Sequence, residues 1–143
     1  MTRVARLPLA VLLATALGLP PAAAAGSSVA IAGVTVANGR VTVSGTLVLG
    51  DEARARVSVM TDPAGYIVPG GVQVAIAAAG TPEGAIDWSS AVSPNVQPNG
   101  SFGGTFTPSE PLLPGAEYQV VARSCSGTTD APACVSATRT FTA

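Results

Sequence analysis

The chain has 143 residues, with seven basic and eight acidic side chains and a formal net charge of −1 at neutral pH. Every basic residue is arginine and there is no histidine, which excludes a Ser-His-Asp triad, a lysine or histidine general base, and a metal site completed by histidine. So small a charge, with its arginines scattered, carries no electrostatic footprint for nucleic acid.

Arg3 and Arg6 precede an apolar run from Leu7 to Leu19, and Ala22-Ala23-Ala24-Ala25-Gly26 then offers overlapping Ala-x-Ala cleavage sites. This pattern predicts a secretory signal peptide over residues 1–25. The apolar run is short of the ~20 residues that a membrane span needs. The expected product is a secreted, extracellular domain over residues 26–143 with no membrane partner. Its five arginines against eight acids give a formal charge of −3. Abundant alanine, glycine and valine, with arginine as the sole base, suggest a bacterial chain of high genomic GC.

Turn residues punctuate the rest. Ser28 to Ala37 and Arg40 to Leu49 are β-rich runs flanking Asn38-Gly39, a strong short hairpin signal. In the second run Val41, Val43, Leu47 and Leu49 share one face, with Thr42, Ser44 and Thr46 on the other. Alternation also predicts strands over Ala53–Thr61, Val72–Ala79, Ile86–Val92, Ser101–Thr107, Tyr118–Ser124 and Val135–Phe141. Trp88, in register with Ile86, is expected in the core. Short strands at 8–12-residue spacing, without an amphipathic helix, predict an all-β antiparallel sandwich of about 7–9 strands.

The last third resembles the closing strands of fibronectin type III and related bacterial immunoglobulin-like domains. The residues that carry the resemblance are Leu113-Pro114-Gly115, then Tyr118-x-Val120-x-Ala122, then Val135-Ser136-Ala137-Thr138 leading into Phe141. Pro98-Asn99-Gly100-Ser101-Phe102 is similar to the turn before strand E of the bacterial versions. The resemblance implies a tyrosine corner at Tyr118, its hydroxyl bonded to backbone between Pro111 and Ala116.

Cys125 and Cys134 are the only cysteines of an exported chain, so they predict a disulfide stapling the Ser126–Ala133 connection. No catalytic residues and no cofactor are expected. The neighbouring acids Asp51 with Glu52, and Glu83 with Asp87, read as solvated turn residues, and Arg54 with Arg56 as the wet face of a strand. Binding is therefore expected on loops. One candidate is the stapled segment with Thr128, Thr129 and Asp130. The other is Tyr66, Ile67 and Val68 in the Asp62–Gly71 segment, which carries more apolar surface than a solvated turn needs. Together these features predict a non-catalytic binding module whose partner is an extracellular protein, a glycan or a small molecule. Two further readings stay open: a small-molecule carrier of the neocarzinostatin apoprotein kind, which a cleft between the sheets would favour, and a structural subunit of an extracellular filament or coat.

Overall fold

A computed structural model describes residues 26–59 and 65–143. The expected signal segment 1–25 and residues 60–64 lie outside them. Strands β1 (Ser28–Ala37) and β2 (Arg40–Val48) form the expected hairpin. Asn38 and Gly39 have φ of 52° and 72°, the two positive values that a type I′ turn demands. Along β2 the pattern is strict: Val41, Val43 and Leu47 are buried, and Thr42, Ser44 and Thr46 are exposed.

β5 (Ser101–Phe106) pairs with the other edge of β2 and places Phe102 opposite Gly45. A Cβ at residue 45 would stand 2.2 Å from the Ala30 carbonyl oxygen and 2.4 Å from the Phe102 ring. The glycine leaves that space for the ring, which fills the core.

The second sheet holds β3 (Tyr66–Ile67), β4 (Gln73–Ala78), β6 (Glu117–Thr128) and β7 (Pro132–Thr142). β3 and β4 lie one after the other along one edge of β6, and β7 runs along the opposite edge. The two antiparallel sheets, β1-β2-β5 and β3/β4-β6-β7, pack face to face as an all-β sandwich of seven strands. Between them lie Val29, Val41, Val43, Leu47, Val72, Val74, Phe102, Val120 and Ala122. Each fully buried valine or phenylalanine contributes about 1.5–3 kcal/mol.

β6 is covered on both faces. Val120 and Ala122 face the sandwich core, while Val121 packs outward with Ala75 and Ile86. The outer cover is the connection after β4, expected as a strand over Ile86–Val92. It forms instead two short 3-10 turns, Glu83–Ala85 and Trp88–Ser90. The Asp87 carboxylate accepts the Ser89 amide at 3.0 Å and so starts the second turn, an arrangement open to Asp-x-Ser and unavailable to a flat strand. Val92 then returns to bridge Val74 on β4, and Val96 bridges Phe102 on β5. Trp88 is half-buried against this outer cluster rather than in the main core.

The strand expected over Ala53–Thr61 is a helix, α1 (Asp51–Val59). Asp51 and Glu52 occupy its first turn, where the helix dipole favours acids. Arg56 reaches back one turn to Glu52 at 3.4 Å. Alanine, arginine and glutamate all favour helix, and here they outweigh the period-2 spacing of Ala53, Ala55, Val57 and Val59. Arg54 and Arg56 accordingly do not share a strand face. Arg54 instead donates to the Leu49 carbonyl at 3.0 Å.

Candidate functional site

The β6–β7 hairpin keeps its register past both cysteines, from Glu117 opposite Thr142 to Gly127 opposite Pro132. The stapled connection is therefore shorter than the expected Ser126–Ala133 loop. Ser126 and Ala133 belong to the ladder, where small side chains let the strands continue, and the turn itself spans only Thr128 to Ala131. It is closed by the Ala131 amide, which donates to the Thr128 carbonyl at 3.2 Å and to its hydroxyl at 3.1 Å. Cys125 and Cys134 face each other directly, bonded, with Cα atoms 4.0 Å apart.

The two candidate binding segments meet on this tip. Tyr66 pairs with Thr128 and Ile67 with Gly127, and the Thr129 amide donates to the Gly65 carbonyl at 3.3 Å. Two stretches about sixty residues apart in sequence thus form one three-stranded end. Tyr66 and Val68 are 47% and 49% exposed, Thr129 and Asp130 are exposed, and Ile67 and Thr128 are half-buried. Beneath the tip, α1 closes the end of the sandwich. Ala53 is buried beside Leu49, Pro69, Ser124 and Ser126, and about 10 Å³ of space remains among them, scarcely room for one water.

A groove of about 170 Å³ runs down from the tip, with Ile67, Val68, Val72 and Pro94 on its walls and Arg123 at its side. Sequence reasoning missed Arg123. Its guanidinium carbon lies 3.8 Å from the Trp88 ring centroid, and its Nε donates to Gln73 at 2.9 Å. Partial burial pushes its pKa down and Glu83 pushes it back up. Such a side chain has its rotamer fixed before any ligand arrives. The available signal was an arginine two residues from Val121 on the outer face of β6, in register with Gln73 on β4.

At the other end of β6, the Tyr118 hydroxyl accepts the Leu113 amide at 2.9 Å. The half-buried ring stacks on Phe141 at 5.9 Å between centroids. Nearby, a cleft of about 330 Å³ opens between β4 and the chain leaving β5. The acids weighed for paired chemistry do not converge: Asp51 and Glu52 start α1, and Glu83 and Asp87 sit at the starts of separate turns. Among the described residues no three His, Cys, Asp or Glu side chains gather to hold a metal ion. Compared with known families, curated proteins and solved structures, the chain matches none significantly.

Proposed function

We propose that this protein is an exported, non-catalytic binding module of the fibronectin-like kind that engages an extracellular partner through its stapled tip. The observation that carries this reading is the pairing of Tyr66 with Thr128. It brings two segments, each suited to binding by its own composition, into one rigid ridge. An exposed tyrosine supplies contact area at low rotamer cost, and a stapled hairpin loses little entropy on docking. The groove below adds apolar walls and a prepositioned guanidinium, a combination suited to a partner that presents a carboxylate beside an apolar group. Export is supported by the signal-like N-terminus together with the disulfide, which persists in oxidising compartments. The fibronectin-like reading is supported by the order of the sheets and by the bond from Leu113 to Tyr118.

The test is a binding survey against extracellular proteins and arrayed glycans, followed by substitution. Tyr66→Ala and Asp130→Ala are expected to weaken any binding found by tenfold or more. Arg40→Ala, on the other sheet, is expected to leave it unchanged. Loss with Arg40→Ala alone would move the binding surface to the first sheet and end this reading.

A further inference from the structure

The open flank of β4 has a different character from the tip. Val74 exchanges both backbone hydrogen bonds with Val92, at 2.8 and 2.9 Å. On the opposite side, the Ala79 amide donates to the Glu117 carbonyl in continuation of the β6 ladder. In an antiparallel ladder successive residues alternate the edge to which their backbone groups point. Ala75, Ala77 and Ala79 therefore bond β6, and Val74, Ile76 and Ala78 point away from it. The Ala78 carbonyl is taken by Thr81, through its amide and its hydroxyl. The outward N–H and C=O of Ile76 have no partner among the described residues. The chain that would have paired with them curls away at Trp88–Ser90 onto the outer face of the sheet.

What stands beside Ile76 is the 330 Å³ cleft. Its apolar wall includes Ile76, Val92, Phe106 and Leu112, and its rim carries Asp87 and Glu110 with no arginine. Both acids are exposed. The volume is at the low end for sites that take a small ligand or a few residues of chain. An unpaired strand edge bordered by an apolar trough is the geometry of strand addition, in which main-chain bonds give affinity and alternate side chains give selectivity.

We infer that this cleft takes an extended peptide segment that adds to β4 at Ile76, in line with Val92, and that carries a basic side chain for Asp87 and Glu110. The charge complementarity selects the occupant: the rim offers two carboxylates and no cation, so an acidic segment is repelled. The inference is independent of the tip, which shares no residue with this cleft.

The experiment uses the full exported chain and the peptide acetyl-Thr-Val-Arg-Val-Thr-amide, followed by calorimetry and by amide hydrogen exchange. Binding is expected to slow exchange at Ile76 by tenfold or more and to weaken as salt is raised. Replacing the peptide's arginine by glutamate, methylating the amides that would pair, or introducing Glu110→Lys is each expected to raise Kd at least tenfold. Tyr66→Ala is expected to leave it unchanged. Equal binding of the methylated peptide, or of a simple alkylamine in its place, would make the cleft a small-molecule site and overturn strand addition. Absence of binding, or protection of Ile76 by self-association without peptide, would overturn it as well.

Discussion

The two ends of β6 are secured by different physics. At its start, Tyr118 closes the crossover from the first sheet with one hydrogen bond to Leu113 and a stacked ring on Phe141. At its finish, where the strand narrows to Ser126, Gly127 and Thr128, little apolar area remains to bury, and Cys125–Cys134 takes over. Ring packing anchors the first end; at the second the buried side chains, Ser124, Ser126 and Ala133, are small, and a covalent bond adds to what they bury. The second end is thereby free to expose Tyr66 and Val68 without fraying.

The sharpest way to break this contrast is to remove the staple. Cys125→Ala with Cys134→Ala is expected to cost about 2–3 kcal/mol for so short a loop, read as a shift in the denaturation midpoint. Hydrogen exchange should quicken at Gly127 and Thr128 and stay slow at Val120; uniform quickening would mean that the two ends are not separately secured.

Next in size is Tyr118→Phe, which keeps the ring stack and removes the acceptor for Leu113. A loss of about 1–2 kcal/mol is expected, with faster exchange at the Leu113 amide in the same variant. A neutral melt would show that ring packing alone holds that end.

A smaller effect concerns the outer cover. The Ser89 hydroxyl and amide hold the Asp87 carboxyl below the usual carboxylate range. A depressed folded value means stability that is present above the unfolded carboxyl's range and lost as pH falls through the lowered value. The melting temperature of Asp87→Ala should therefore lie below that of the parent at pH 6, and the gap should close in strong acid. A gap that widens on acidification would contradict this cap.

The smallest effect on stability is expected at the tip itself. Tyr66→Ala should stay within about 0.5 kcal/mol of the parent, because its ring is half exposed and its strand is held by backbone bonds to Thr128 and Gly127. A larger loss would make Tyr66 a structural residue and weaken its role as a contact.

Strands whose alternating face is buried were legible in the residues: β2 and β5 stand where Val41, Val43, Leu47 and Phe102 place them, and the Asn38-Gly39 turn sets β1 beside β2. Period-2 spacing misled where short-range polar chemistry was stronger. Asp51, Glu52 and Arg56 wind one such segment into α1, and Asp87 with Ser89 curls another into a turn. The two candidate loops were recognisable singly from Tyr66 and Asp130. Their union was not, because a two-residue strand pairing across sixty positions leaves no local trace. Arg123 was equally hidden, since its partners Gln73 and Trp88 come from separate elements.

Arg139 has a consequence for how copies of this protein meet. On β7 it donates to the Ile31 and Ala32 carbonyls at 3.3 and 2.8 Å, where the register of β1 slips between Ile31 and Gly33. A neighbour seeking to extend the first sheet there would meet a kinked edge, carbonyls already engaged and a guanidinium to dehydrate. That stretch of the β1 edge is guarded against strand addition by a side chain from the other sheet. Replacing Arg139 by a small neutral residue is therefore expected to free the Ile31 and Ala32 carbonyls for a second copy, read as concentration-dependent self-association that the parent lacks at this edge.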